Sequence, residues 1–132
     1  MTLLCIGKSG QVARALAERA AARSIDLVCL GRPQIDLLQA SSVDTALAKF
    51  QPSIVINSAA YTQVDAAETD RDAAFSLNAE APTKLAAVCA QVGVPLIHIS
   101  TDYVFDGSAK RPYLEEDPTG PLNIYGASKM AG

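Results

Sequence analysis

The chain has 132 residues, 49% of them hydrophobic and 19% charged, which is one domain's worth of sequence with enough apolar content for a real core. Lys plus Arg number 11 and Asp plus Glu 14, giving a net charge of −3, so nucleic acid and membrane surfaces are poor candidates as partners. No apolar run approaches the roughly 20 residues of a membrane span, and Met1 leads straight into an apolar run with no basic region ahead of it, so no secretory signal is read.

Thr2–Ile6 is a short apolar run of the kind that forms a strand buried on both faces. It leads into Gly7-Lys8-Ser9-Gly10-Gln11-Val12-Ala13, and then into the alanine-rich stretch 13–23, which reads as a helix with Val12, Leu16 and Ala20 along one face. Asp26–Leu30 is a second strand. Residues 42–50 read as a helix capped by Ser41 or Ser42 and stopped before Pro52. Ile54–Asn57 is a third strand, 66–77 is helical in composition, and 80–92 is a helix with Pro82 in its first turn and Gly93 just past its end. Leu96–Ser100 is a fourth strand. Residues 106–121, rich in Gly, Pro and charge, read as an exposed loop. Strands alternating with helices over short connections predict a parallel sheet with right-handed crossovers, a doubly wound, Rossmann-like α/β fold. Cys5, Cys29 and Cys89 are an odd count, each in an apolar run without a close Cys or His. They read as reduced core thiols of a cytoplasmic protein, with no metal site.

Strand, Gly-rich turn and helix in that order is the context of a dinucleotide fingerprint. Gly7 permits the tight turn, Gly10 lets a pyrophosphate approach the backbone, and Ala13 lets helix and strand pack closely. The helix start offers free N–H groups and a positive dipole end. In such a sheet ligands bind beyond the carboxyl ends of the strands. Those ends carry Gly31-Arg32 and then Asp36-Leu37, the run 57–62, and Ser100-Thr101-Asp102-Tyr103. An acid usually follows the second strand where NAD is bound, and an Arg suits the 2′-phosphate of NADP. Arg32 therefore points to NADPH, with NADH the alternative. Asp36 is placed to approach the adenosine. Ala59, Ala60 and Tyr61 offer small side chains against which a flat cofactor could lie, and Thr101 a hydroxyl for a substrate oxygen. His98, inside its strand, reads as a packed core residue. Near the end of the chain, Tyr125 and Lys129 stand four apart. On a helix they share a face, and an ammonium beside a phenol lowers the Tyr pKa from its usual value of about 10. A Tyr tuned that way exchanges a proton with a substrate oxygen near neutral pH.

These segments resemble the extended short-chain dehydrogenases/reductases, and more narrowly the dTDP-4-dehydrorhamnose reductases. The resemblance rests on the Gly-rich turn at 7–12, on the run 55–65, on Asn78, on Ser100-Thr101-Asp102-Tyr103-Val104-Phe105, and on Pro121-Leu122-Asn123-Ile124-Tyr125-Gly126-Ala127-Ser128-Lys129. It spans essentially all of the chain. Tyr61 stands where these reductases often carry His, and Ala13 where many carry Gly.

The resemblance implies that Gly7, Gly10, Gln11 and Val12 hold the pyrophosphate and that Asp36 and Leu37 contact the adenosine end. It also places Ala59, Ala60, Tyr61 and Asn78 along the dinucleotide groove, and Thr62, Val64 and Asp65 toward the sugar nucleotide. Thr101 would bond the reacting C4 oxygen and Asp102 the sugar. Tyr125 would donate the proton, while Lys129 holds the nicotinamide ribose. The implied reaction reduces dTDP-4-dehydro-L-rhamnose to dTDP-L-rhamnose in the cytoplasm. Magnesium and a homodimer belong to the full-length family; this chain shows no magnesium site. Such reductases run to more than twice this length, with a smaller carboxy-terminal substrate domain. Residues 1–132 are therefore expected to be an incomplete NAD(P)-binding domain that lacks the last strands and the substrate domain, and is inactive by itself. Two other readings remain open: a nucleotide-sugar epimerase or dehydratase of the same superfamily, and a non-catalytic NADP-binding subunit resembling the beta subunit of methionine adenosyltransferase.

Overall fold

The computed structural model describes the backbone of residues 1–132 and every side chain except that of residue 40. The chain forms two compact units. One comprises Met1–Ala59 and Ala81–Ile99, the other Ala60–Glu80 and Ser100–Gly132.

The first unit is a four-stranded parallel sheet built from β1 (Leu3–Ile6), β2 (Leu27–Leu30), β3 (Ile54–Asn57) and β4 (Leu96–His98), in the order β2-β1-β3-β4. The registers are Cys5 opposite Cys29 and Ile56, and Ile56 opposite Ile97. Leu4, Cys5, Ile6, Val55 and Ile56 are buried, as the continuous apolar runs require of strands covered on both faces. The chain leaves β1 to one side for β2 and returns to the other side for β3. The order therefore reverses between β1 and β3, where the loops after Ile6 and Asn57 lie side by side.

Helix α1 (Gln11–Ala22) buries Ala13 and Ala20. Their small side chains let its backbone approach the sheet, so that the Cys29 thiol lies 3.9 Å from the Ala13 carbonyl. Helix α2 (Ala40–Phe50) buries Val43, Ala46 and Leu47 as one stripe. Its N-cap is Gln39, not Ser41 or Ser42. The Ser42 hydroxyl instead accepts the Asp36 N–H at 2.9 Å, which ties down the segment leading into the helix. Gln51, in the left-handed conformation, ends α2 one residue before Pro52. Helix α5 (Ala81–Val92) buries Leu85 and Cys89; Gly93, at φ +70°, closes it while the Val94 N–H reaches back to the Cys89 carbonyl at 2.9 Å. Leu85 is wholly buried, so Leu85→Ala would cost about 2–5 kcal/mol. Strand β4 is shorter than expected and ends at His98, although the Ile99 N–H still reaches the Asn57 carbonyl at 3.3 Å.

In the second unit, the stretch expected to be one helix over 66–77 is instead three pieces. They are α3 (Val64–Ala67), α4 (Arg71–Phe75) and a π turn at Ser76–Glu80, from which the chain runs directly into α5. Pro82 lies in the first turn of α5, as its place in the sequence implied, although the chain enters that turn from a π turn and not from a loop. It follows the π turn, and it has no N–H to offer the Asn78 carbonyl four residues back. A 3₁₀ turn (Asp102–Val104) and α6 (Ile124–Ala131) complete the unit, and α6 packs on α3, α4, the π turn and the 3₁₀ turn. The loop between them is held by its own polar groups. Arg111 makes a two-pronged pair with Asp117 at 2.7 Å on both arms, and the Asp106 carboxylate accepts from the Ser108 N–H, the Ser108 hydroxyl and the Tyr113 hydroxyl. Phe105 stacks on Tyr113 at 4.2 Å.

Candidate active site

In the first unit, Gly7 has φ +125°, and a methyl there would overlap the Ser58 hydroxyl. Its N–H donates to the Leu30 carbonyl at 2.7 Å, while the Ser58 N–H donates to the Ile6 carbonyl at 2.9 Å. Gly7 is thus the crossing point of the loops after β1 and β3 and the end of β2, and only a residue without Cβ fits there. Beyond it, Gly10 is the N-cap of α1, with no side-chain cap and no acid in the first turn. Nothing lies within 4 Å of where a Cβ on Gly10 would stand. The first N–H groups of α1 are therefore open donors at a positive dipole end, with clear space before them, and Gln11 and Val12 stand exposed at this start. This is a cradle that fits a pyrophosphate.

At the end of β2, Arg32 is exposed, and a Cβ on Gly31 would stand 3.0 Å from the Lys8 Cβ. The Lys8 ammonium reaches the Gln34 side-chain oxygen at 3.4 Å. Lys8, to which the sequence reading gave no role, thus lies against Gly31, the residue before Arg32; its place directly after the first glycine was the available signal. The Asp36 carboxylate folds onto its own turn, accepting the Leu38 N–H at 3.0 Å. Leu37 is buried. Past β3, the Asn57 side chain accepts the Ala59 N–H at 3.1 Å and bonds the His98 Nδ1 at 3.1 Å. His98 is therefore tied to the β3 end but only half-buried, not the packed core residue expected, and Ala59 is pinned just beyond that strand.

In the second unit, Asn123 caps α6: its side-chain oxygen accepts the Gly126 N–H at 2.7 Å, and Glu68 accepts the Ile124 N–H at 2.8 Å. Tyr125 and Lys129 follow one turn apart on this helix. Lys129 is 5% exposed, and burial pushes its ammonium below the usual value of 10.5. Gly126 lies against the Tyr103 carbonyl, where a methyl would overlap the oxygen. The Tyr103 and Tyr125 rings meet edge to face at 5.5 Å. The first turn of α6 is thereby pressed onto the segment carrying Thr101 and Asp102. The Thr101 hydroxyl accepts the Tyr103 N–H at 3.2 Å and lies 3.4 Å from Asp102. A cavity of about 270 Å³ opens beside it, lined by Asp102, Tyr103, Phe105, Asp106, Tyr113 and Asn123 among others.

Asn78, in the π turn, is 1% exposed. Its carboxamide clasps the Tyr61 backbone, accepting the N–H at 2.8 Å and donating to the carbonyl at 3.0 Å, and it also donates to the Ser128 hydroxyl at 2.9 Å. The Tyr61 hydroxyl points to Asp70 at 3.4 Å; desolvation first, then the Asp70 charge, raise its pKa. Thr62 and Asp65 are exposed at the start of α3, and Val64 is half-buried. Sequence reasoning assigned no role to Gly126 or Ser128. A glycine and a serine inside a short helix were the available signals, since both are poor helix formers away from a special contact. Among the described residues no group of three His, Cys, Asp or Glu is placed to hold a metal ion, and no helix is long and apolar enough to cross a membrane.

Residues 1–132 match the RmlD substrate binding domain family over their whole length. The chain belongs to that family. It is 46% identical over 132 residues to a dTDP-4-dehydrorhamnose reductase of Sinorhizobium fredii, a match covering 100% of this chain and 44% of that one. Its fold superposes on a dTDP-4-dehydrorhamnose reductase of Bacillus anthracis solved in complex with NADP. The TM-score is 0.92 at 37% identity, over 99% of this chain and 47% of that one. A Thermus thermophilus UDP-glucose 4-epimerase in complex with NAD gives a TM-score of 0.89 at 26% identity, over 99% of this chain and 48% of that one. The chain thus spans about half the length of the proteins it matches, as the sequence reading expected.

Proposed function

We propose that these residues form the nicotinamide-dinucleotide part of a reductase acting on dTDP-4-dehydro-L-rhamnose and producing dTDP-L-rhamnose. The observation that carries this reading is the seating of α6. One short helix bears Tyr125 and a buried Lys129 one turn apart, and its Gly126 contact presses the first turn against the segment bearing Thr101 and Asp102.

When bound, NADPH or NADH supplies the hydride that reduces the ketone carbon. The open N–H groups from Gly10 to Val12 hold the pyrophosphate, with the bare Gly7 crossing beneath them. The turn carrying Asp36 and Leu37 borders the adenosine end, and Ala59, Ala60 and Tyr61 line the dinucleotide. Arg32, with Lys8 against the preceding Gly31, favours the 2′-phosphate of NADPH over NADH. Thr101 donates to the carbonyl oxygen of the sugar and Asp102 bonds a neighbouring hydroxyl, while Thr62, Val64 and Asp65 border the nucleotide sugar. Tyr125 gives its proton to the same carbonyl oxygen, so that ketone plus hydride plus proton becomes the alcohol. Lys129 holds the nicotinamide ribose and stabilises the negative charge left on the phenol oxygen. Three free cysteines accord with a cytoplasmic setting.

The test is NADPH oxidation driven by dTDP-4-dehydro-L-rhamnose, measured in the full-length protein and in its Tyr125→Phe variant. The phenol supplies general acid catalysis, so the variant should lose about 10²–10⁴-fold in kcat with cofactor affinity kept. Undiminished turnover by Tyr125→Phe would refute the assignment.

A further inference from the structure

We propose that Ser128 is a positioning residue for Tyr125, and that Asn78 acts on the reaction through it. The proposal rests on Tyr125 being the proton donor. Ser128 is fully buried in the middle of α6, where a serine ordinarily weakens a helix or turns to solvent. Here its hydroxyl is used in both directions: it donates to the Tyr125 carbonyl at 2.8 Å and accepts from the Asn78 side-chain nitrogen at 2.9 Å.

Asn78 is held as tightly. Both of its side-chain N–H groups are given, one to the Tyr61 carbonyl and one to Ser128, and its oxygen accepts the Tyr61 N–H. The orientation of the amide is forced. With nitrogen and oxygen exchanged, an N–H would face the Tyr61 N–H and an oxygen the Tyr61 carbonyl. Spent in this way on the protein, the carboxamide serves as a bracket. Tyr61, on the loop after β3, and the backbone of Tyr125 are fixed to one buried amide, with Ser128 as the link. The π turn supplies the aim, because widening the helix at Asn78 turns that side chain toward α6; turns of this kind recur at functional sites. The link ends on the carbonyl of the residue that carries the phenol, so it governs the rotation of the first turn of α6. A loose link displaces the phenol oxygen without removing any group that touches cofactor or sugar.

The test compares Ser128→Ala, Ser128→Thr, Asn78→Asp and Tyr125→Phe in the full-length protein, with steady-state kinetics and thermal melts for each. Ser128→Ala should lower kcat by roughly 10- to 100-fold, leave KM for NADPH and for the sugar within about twofold, and be largely rescued by Ser128→Thr, which restores a hydroxyl able to bond the same carbonyl. Asn78→Asp keeps the size and the acceptor but loses both donors, and should lower kcat by at least about tenfold. Wild-type kcat in Ser128→Ala or in Asn78→Asp, or a loss in Ser128→Ala that Ser128→Thr does not recover, overturns the proposal. If Ser128→Ala does not fold, Asn78→Asp decides alone. Undiminished turnover in Tyr125→Phe sinks the reading of Tyr125 itself; a dead Tyr125→Phe beside a fully active Ser128→Ala sinks only the role given to Ser128.

Discussion

Gly126→Ala sets two effects of opposite sign against each other. In a helix interior alanine is favoured over glycine by about 1 kcal/mol, so propensity alone predicts a firmer α6. The packing predicts the reverse. A methyl at position 126 would lie 3.0 Å from the Tyr103 carbonyl carbon and 3.1 Å from the Pro121 Cβ, and would overlap the Tyr103 carbonyl oxygen. Carbon atoms rest at about 3.5–4.0 Å from one another, so α6 or the Asp102–Val104 turn must give way by roughly 0.5–1 Å. The obstacle is backbone, and no rotamer change relieves it. Overpacking of this kind costs about 1–3 kcal/mol, which leaves a net loss of stability of about 0–2 kcal/mol once the propensity gain is subtracted. Activity should fall further than stability. Thr101 and Tyr125 ride on the two segments being forced apart, and a misplacement of about 1 Å between reacting groups costs on the order of 100-fold in rate. The assay pairs urea unfolding with NADPH oxidation by the full-length protein. A variant stabilised by about 1 kcal/mol with wild-type kcat would refute the argument, because it would mean that the close approach at Gly126 constrains nothing.

Two further outcomes are expected. Gly7→Ala forces a side chain into φ +125° against the Ser58 hydroxyl, and should weaken NADPH binding by at least about tenfold in a fluorescence titration; unchanged affinity would remove Gly7 from the cradle. The Asp117 carboxyl is lowered from the usual 3.8 to about 2, first by its hydrogen bonds from Arg111 and then by that from the Leu114 N–H. A depressed carboxyl contributes stability that is complete above pH 3.8 and is lost as pH falls through about 2, so the loop between Asp106 and Pro121 should loosen only in that acid window. An NMR titration should place the Asp117 midpoint near 2 and move it upward in Arg111→Gln; a wild-type midpoint at 3.8 would contradict the pairing.

The parallel sheet was legible because its two central strands, β1 and β3, are buried and so appear as unbroken apolar runs, of which Ile54–Asn57 matches its strand residue for residue. Gly7 was legible for a similar reason: a turn that excludes Cβ admits one residue type. Errors fell where local signals had competitors. The 66–77 stretch has helical composition, yet the absence of an N–H on Pro82 and the burial of Asn78 go with a π turn that composition does not encode. Ser42 has the character of a cap, but its hydroxyl is taken by the Asp36 N–H.

The division at the candidate site follows the same physics. Spacing alone placed Tyr125 and Lys129 on one helical face, because the period of the α-helix is a local property of the backbone. What holds that face in place depends on residues 50 positions apart, Asn78 and Ser128, and on a carbonyl 23 residues before Gly126. Hydrogen bonds and close approaches between distant segments have no periodicity to read. The sequence by itself therefore determined the strands, the Gly-rich turn and the pairing of Tyr125 with Lys129. Only the tertiary structure decided which buried amide and which missing methyl keep that pair in register, since both act across contacts that exist only once the chain has folded.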